Sequence, residues 1–273
     1  MTKDERLRWL LDDLEDETRV VEGLVAGLAP EEWDRPTTAE GWTVKDEITH
    51  LAFFDRAAVA SATDSERFRA WAAEVAAGGG DFPDEVAREY RRMRPADALA
   101  WFRFARTRLL DAFASIDPSV RVPWFGSDMS VMSSATARLM ETWAHGHDIA
   151  DGCGVAHPAT HRLRHVADLG VRTFAFSFRL HGRAVPDRAV RVELTAPDGS
   201  GWSWGPPGAR DTVTGPALDF CLAVARRRHL HDTALRVEGD TAAEWMSIAQ
   251  VFAGGPAAGP RPARTGTEPR TDQ

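Results

Sequence analysis

A glutamate and a histidine four residues apart are the side chains of this sequence best arranged for chemistry. They are Glu141 and His145, in the run RLMETWAHGHDIAD. If this run is an α-helix, residues four apart project from the same face, so both side chains can reach one metal ion. A carboxylate and an imidazole are common zinc ligands, and in a helical bundle a facing helix supplies a third. The pair therefore predicts a metal site only if a third ligand lies opposite.

His50 is the candidate for that third ligand. It lies in the run ITHLAFFD, where Ile48, Leu51 and Phe54 are expected to face a core. An imidazole among core residues needs a polar partner, because an unpaired buried nitrogen costs about 1–3 kcal/mol. A metal ion would be such a partner, and so would an ordinary hydrogen bond. The residues alone leave both alternatives open.

Two more polar residues follow on the same predicted helix. Asp148 extends the face of Glu141, where it would orient His145 or contact a substrate; the alternative is a solvated carboxylate near the helix end. His147 points about 200 degrees away from His145 around the helix, so we exclude it from the site.

Aromatic and histidine residues outside this helix are further candidates for the site. Trp42 and Trp124 lie in predicted loops near helix ends, where they would wall a substrate pocket or only anchor the bundle. His161 and His165 are again four apart, but no third ligand matches them in the sequence. We interpret these two histidines as surface residues.

Apolar residues at intervals of three and four predict the elements that carry these side chains. We expect four long helices, over residues 3–28, 44–62, 97–116 and from about 135 to 151, with a shorter helix over 66–77. Thr43 with Asp46 three residues later is typical of a helix N-cap, and Ser133 or Ser134 would cap the last long helix. This pattern predicts a mainly α protein that begins with a helical bundle, residues 1–158.

Beyond residue 158 the pattern changes to that of a small α+β domain, residues 159–254. We expect helices over 161–180, 216–228 and 242–252, and strands over 190–195, 202–204 and 235–238. The tail, residues 255–273, is rich in Gly, Pro, Ala and Arg and is predicted to be disordered.

The composition excludes several classes of function. The formal net charge of -8 at pH 7 argues against nucleic acid as the primary partner, because binding phosphates requires a basic face. Lys3 and Lys45 are the only lysines, and this bias toward Arg, with abundant Ala and Gly, suggests a GC-rich bacterial genome. Two cysteines, no apolar leader and no run of about 20 apolar residues predict a cytoplasmic protein that does not cross a membrane.

The runs RPTTAEGWTVKDEITHLAFFD and ETWAHGHDIAD together resemble the N-terminal domain of mycothiol-dependent maleylpyruvate isomerases, a branch of the DinB-like metal-binding helical bundles. In that family a histidine on the second long helix and a Glu-x-x-x-His pair on the last helix bind zinc. The matching residues are His50, Glu141 and His145. The resemblance thus implies a DinB-like four-helix bundle followed by a small α+β domain, in an actinobacterial protein.

The same resemblance implies a reaction and a further substrate-binding residue. Mycothiol would be the co-substrate, and the protein would be an isomerase or a thiol transferase acting on a small electrophile. An arginine of the second domain faces the cleft in those isomerases, and Arg227 is the nearest match within Arg226–Arg228, although arginines at a helix C-terminus are also favourable without a ligand. The C-terminal segment also loosely resembles a module of wybutosine-synthesis proteins.

Three protein ligands would leave zinc one open coordination position, as in catalytic sites. The ion would polarise a carbonyl or hold a thiol as its thiolate. Two alternatives remain: a non-catalytic metal- or ligand-binding protein, and a metal-dependent hydrolase with Asp148 as its base. Nickel and iron also accept two imidazoles and a carboxylate.

Overall fold

The amphipathic pattern at the N-terminus forms a helix, as predicted. In the computed structural model, which describes residues 1–78, 81–257 and 259, α1 (Lys3–Val25) begins with a capping box at Thr2 and Glu5. Its inner face buries Leu7, Leu10, Leu14 and Val21. Each such side chain contributes about 1.5–3 kcal/mol on burial, so packing rather than local propensity holds this helix in place.

Five more helices follow α1 before the chain leaves the bundle. They are α2 (Val44–Thr63), α3 (Ser65–Gly78), α4 (Phe82–Tyr90), α5 (Pro95–Ala114) and α6 (Val131–Cys153). The four long helices pack on one another: α2 lies against α5 and α6, and α1 lies against α6 and α5. The sequence pattern did not predict α4, a short helix that opens with a proline in its first turn. The predicted helical bundle is confirmed.

The beginning of α6 differs from the prediction. Ser130 is the N-cap, and its hydroxyl accepts the backbone N–H of Ser133. A two-stranded ribbon, β1 (Arg121–Val122) and β2 (Met129–Ser130), ends directly at this cap, so the helix begins earlier than Ser133 or Ser134 would place it.

The chain divides into two compact units, of which the first contains Met1–Leu169 with Phe252–Gly254 and the second contains Gly170–Val251. The helix α7 (Leu163–Arg172) spans the division, and α8 (Phe174–Leu180) follows it. The prediction of one helix over 161–180 was wrong, because the helix is interrupted at Thr173.

The second unit is built on a four-stranded sheet of order β4-β3-β5-β6. Its elements are β3 (Val190–Thr195), β4 (Gly201–Trp204), β5 (Asp211–Pro216), α9 (Ala217–Val224), β6 (Arg236–Glu238) and α10 (Asp240–Ile248). β3 pairs antiparallel with β4 and parallel with β5, and β5 pairs antiparallel with β6. Buried Asp211 accepts the backbone N–H groups of Thr241 and Ala242 at the start of α10, which ties that helix to the sheet.

Helix α9 ends four residues before the predicted end at residue 228. Arg226 adopts a left-handed conformation (φ 60), and the N–H groups of Arg226 and Arg227 bond to the carbonyl groups of Ala223 and Leu222. This is a Schellman turn, which closes a helix. The prediction for the tail falls largely outside the described residues. Within the described part of the chain, no helix is both long and apolar enough to cross a membrane.

Candidate metal centre

Helices α2 and α6 bring together the three residues predicted to bind a metal. Ligand atoms of His50, Glu141 and His145 all lie within 4.8 Å of one another. Nε2 of His145 is 3.1 Å from Oε2 of Glu141, and Nε2 of His50 is 3.8 Å from the same oxygen. A tetrahedral zinc ion with bonds of about 2.0–2.1 Å separates its ligand atoms by about 3.4 Å. The three side chains therefore fit a single ion with little movement.

The ring of His145 is held from behind by Glu47, a residue that the sequence analysis missed. Nδ1 of His145 is 2.5 Å from Oε2 of Glu47, and the Thr37 hydroxyl donates to Oε1 of the same carboxylate at 2.5 Å. This contact directs Nε2 toward Glu141. Metal-binding histidines commonly donate their second ring nitrogen to a carboxylate in this way. The sequence does contain one signal that could have identified Glu47 as a site residue. It lies three residues before His50 and therefore on the same side of α2.

Asp148 lies near Nδ1 of His145. Its Oδ1 accepts the Thr38 hydroxyl at 2.8 Å, and its Oδ2 is 3.9 Å from Nδ1 of His145. Glu47, His145 and Asp148 also have ligand atoms within 4.8 Å of one another. Because both carboxylates there already accept a threonine hydroxyl, this second group is a less suitable metal site than the first.

The electrostatics favour the protonation states that coordinate a metal. Burial, with the nearby His145, lowers the pKa of His50 to about 3, so its imidazole is neutral. Burial alone would raise the pKa of Glu141, but the hydrogen bond with His145, the nearby imidazole of His50 and the charge of Arg138 lower it well below the usual value. Burial and the charge of Asp148 raise the pKa of Glu47. A neutral imidazole and an ionised carboxylate are the forms that bind a divalent ion.

His50 has a further property that suits a ligand. It is buried, and its Nδ1 has no hydrogen-bond partner among the residues that the structure describes. Its Nε2, at 3.8 Å from Glu141, is beyond normal hydrogen-bond distance. An ion at Nε2 would supply the partner that this nitrogen lacks, whereas Nδ1 would still have none among the described residues.

Trp42 covers one side of the candidate site. Its ring stacks on His145, with ring centres 5.8 Å apart, and lies 5.2 Å from the ring of His50. Its indole N–H donates to Asp84 of α4 at 2.7 Å, which holds the ring in place. The helix missed in the sequence thus helps to position a predicted site residue.

The loop that carries Trp42 approaches α6 closely at Gly152. A Cβ at this glycine would lie 2.8 Å from the carbonyl oxygen of Pro36 and 3.0 Å from Cα of Thr37. Only a residue without a side chain allows this approach, which places Thr37 and Thr38 within reach of the acidic residues beside His145.

Trp124 lies further from the three candidate ligands. It stacks on Phe68 with ring centres 5.8 Å apart, and the guanidinium carbon of Arg138 is 5.6 Å from its ring centre. Nη2 of Arg138 is in turn 3.9 Å from Oε1 of Glu141. Trp124 therefore borders the site through Arg138, which was not predicted from the sequence, and through Phe54, whose ring centre lies 6.2 Å from that of Trp124 and 4.5 Å from that of His50.

The histidines excluded from the site lie elsewhere in the first unit. His161 and His165 contact the two oxygens of Asp13 at 2.9 and 2.8 Å. His161 is exposed, as predicted, but the side chain of His165 is only 13% exposed, so its interpretation as a surface residue was wrong. His147 stacks on His157, which agrees with its exclusion from the metal site.

Arg227 lies in the second unit, directly after the turn that ends α9. Its Nη1 donates to the carbonyl oxygen of Ala225 at 3.0 Å. Its side chain is half-buried. The predicted role of this residue in substrate binding remains a prediction.

Two crystal structures share the fold of this chain, those of a mycothiol-dependent maleylpyruvate isomerase and of a histidine-to-alanine mutant of it. Their TM-scores are 0.58 and 0.57, at 17% and 16% sequence identity. The matches cover 89% and 86% of this chain and 97% and 95% of those chains. This likeness confirms the fold, a DinB-like bundle with a small sheet region.

Sequence comparisons give relatives over most of the chain. Uncharacterised proteins of Mycobacterium tuberculosis, from strains CDC 1551 / Oshkosh and ATCC 25618 / H37Rv, are 43% identical over 247 residues. These matches cover 90% of this chain and 96% of each relative. A family model described as wyosine base formation matches residues 186–238. The model described as the mycothiol maleylpyruvate isomerase N-terminal domain matches residues 14–150, about half of the chain, and so the chain belongs to that family.

Proposed function

We propose that this protein is a metal-dependent enzyme that uses mycothiol to isomerise a small electrophile or to transfer the thiol to it. The observation that carries the proposal is the convergence of His50, Glu141 and His145 from two helices of the bundle. Membership of the mycothiol maleylpyruvate isomerase family supports mycothiol as the co-substrate.

The ion would be held by His50, Glu141 and His145. We propose zinc because two imidazoles and one carboxylate are a common zinc ligand set. Nickel and iron accept the same ligands. A divalent ion at this position supplies Lewis acidity and stabilises a thiolate near neutral pH. With three protein ligands, one coordination position remains for the co-substrate.

The remaining residues of the site would prepare it for this chemistry. Glu47 would keep a proton on Nδ1 of His145 and so leave Nε2 for the ion. Trp42 lies over both histidine rings and excludes water from that side. The side chain of Glu141 is 16% exposed, which leaves an approach for small molecules. Arg227 would bind the substrate.

Hydrolysis is less well supported than a thiol reaction. A hydrolase would need a general base close to the reacting water. Asp148, the only candidate named from the sequence, is bonded to Thr38 and lies at Nδ1 of His145, not at Nε2. A non-catalytic binding protein would keep the same three metal ligands. A turnover assay therefore distinguishes this hypothesis from that of an enzyme.

The test uses cobalt-substituted protein and mycothiol. Direct coordination of the thiol sulfur should produce a thiolate-to-cobalt charge-transfer band and release a proton near neutral pH. Absence of the band at saturating mycothiol would contradict the thiol reaction. Arg227→Ala should keep the band but weaken substrate binding, and an unchanged substrate affinity would remove only the role given to Arg227.

Turnover separates the remaining alternatives. Small electrophiles, including cis-configured unsaturated acids, should be converted only when mycothiol is present. Conversion at the same rate without mycothiol would support hydrolysis. A charge-transfer band without any conversion would favour a binding protein.

A further inference from the structure

A buried guanidinium lies one helical turn before Glu141 on α6. Arg138 is only 4% exposed, and its Nη1 is buried without a hydrogen-bond partner among the described residues. Arginine stays charged in proteins, and an unpaired buried donor of a charged group is costly. Such a group calls for an explanation, and a bound anion is one.

The surroundings of Arg138 connect it to the candidate metal centre. Its guanidinium carbon is 5.6 Å from the ring centre of Trp124 and 5.9 Å from that of Phe54. The Phe54 ring is in turn 4.5 Å from the ring of His50. Nη2 of Arg138 lies 3.9 Å from Oε1 of Glu141, a distance at which charges attract but no hydrogen bond forms.

Arg106, the other buried arginine of α5 and α6, provides an internal comparison. Its Nε donates to Asp55 at 2.7 Å, and its two terminal nitrogens donate to Thr18 and Thr142. All three of its nitrogens are satisfied, so its role is to hold the bundle together. The charge of Asp55 also acts on Arg138, but no hydrogen bond joins the two side chains in the described structure.

The charge balance changes when a divalent ion is bound. Two neutral imidazoles and one carboxylate leave a bound divalent ion with a net positive charge. The negative charge of Glu141 is then shared between the ion and Arg138. Arg138 adds a second positive charge in a largely buried region, where charges interact more strongly than in water. An anionic ligand would balance both.

We propose that Arg138 is a specificity-determining residue that binds a carboxylate of the substrate, with Phe54 and Trp124 packed against the same ligand. This inference rests on the proposed function and assigns Arg138 to the substrate side of its site. A carboxylate fits because it accepts paired hydrogen bonds from a planar guanidinium, which a thiolate sulfur does not.

Binding of fumarate to the zinc-loaded protein, measured by calorimetry, tests this assignment without turnover. Fumaramide serves as the uncharged counterpart of the same shape. We expect fumarate to bind at least tenfold more tightly than fumaramide. Arg138→Gln should remove this preference, and Arg138→Lys should retain part of it because the charge remains. Arg108→Gln, which removes an exposed charge from α5, should bind fumarate as the wild type does.

Zinc content and thermal melting of each variant show whether the site and the fold survive. If Arg138→Gln does not fold, the comparison of Arg138→Lys with the wild type still applies, since a loss of less than twofold would contradict bidentate binding. Equal affinities for fumarate in the wild type and Arg138→Gln would overturn the inference, and so would failure of fumarate to bind the wild type. Absence of zinc from the wild type would instead contradict the proposed function.

Discussion

Nδ1 of His145 lies 2.5 Å from the carboxylate of Glu47, although the two residues are 98 positions apart in the chain. The contact joins α2 to α6 at the point where the candidate ligands meet. It gives the imidazole one orientation, with Nε2 directed to Glu141. The bundle therefore sets the direction of a ligand as well as its position.

Loss of Glu47 should weaken metal binding without removing a ligand. We expect Glu47→Ala to lower zinc affinity by about 10- to 100-fold, because His145 loses the partner that orients it. Glu47→Gln should recover part of the affinity, since its amide oxygen can still accept from Nδ1. Competition with a chromophoric chelator measures the affinity. Glu40→Gln, in the exposed loop before α2, is the control, and unchanged affinity in Glu47→Ala would show that this contact does not support the site.

Gly152 should be required for the loop that carries Trp42. An added methyl group would collide with the backbone at Pro36 and Thr37, so Gly152→Ala should destabilise the protein by about 1–3 kcal/mol. The free energy of unfolding in urea measures this. Gly23→Ala is the matched control in helix α1, where no atom lies within 4 Å of the new methyl, and it should be neutral or stabilising by up to about 1 kcal/mol. Equal effects of the two substitutions would contradict the close approach.

Stability at low pH should depend on Asp13. Burial alone would raise its pKa, but hydrogen bonds and charges of His165 and His161 lower it below the ordinary value of 3.8. A lowered folded-state pKa contributes stability that is fully present above pH 3.8 and is lost as the pH falls through the folded-state pKa. Asp13→Asn should thus be less stable than the wild type at pH 5, and the difference should shrink below pH 3.8.

The exposed neighbour Asp12 supplies the control for that experiment. Asp12→Asn should follow the wild type at every pH, as measured by urea unfolding between pH 5 and pH 3. A constant difference between Asp13→Asn and the wild type over this range would mean that the two histidines do not stabilise the ionised carboxylate.

Much of the bundle could be predicted from the sequence because its signals are local. Thr43 and Asp46 form the capping box expected from their spacing, and α2 starts at Val44 as predicted. Glu141 and His145 lie four apart on one helix, so their common face follows from helix geometry alone. His50 could be chosen because its apolar neighbours indicated the core.

The parts that escaped prediction depend on contacts between distant segments. In the sequence, Glu47 is an ordinary acidic residue in the first turn of a helix. Its contact with His145 exists only because α6 packs against α2. Strand β5 was missed because DTVTGP contains few large apolar residues, although it pairs with strands on both sides. The end of α9 was placed too late because Arg226 adopts a left-handed conformation that its residue type does not favour.

Metal content of protein purified without added metal tests the central claim most directly. Elemental analysis should find about one divalent ion per chain in the wild type, and little in His50→Ala or His145→Ala, because two remaining ligands hold an ion poorly against buffer. His147→Gln, two residues from His145 but stacked on His157, should retain the metal. Near-stoichiometric metal in either alanine variant, or none in the wild type, would contradict the assignment of His50, Glu141 and His145 as the metal ligands.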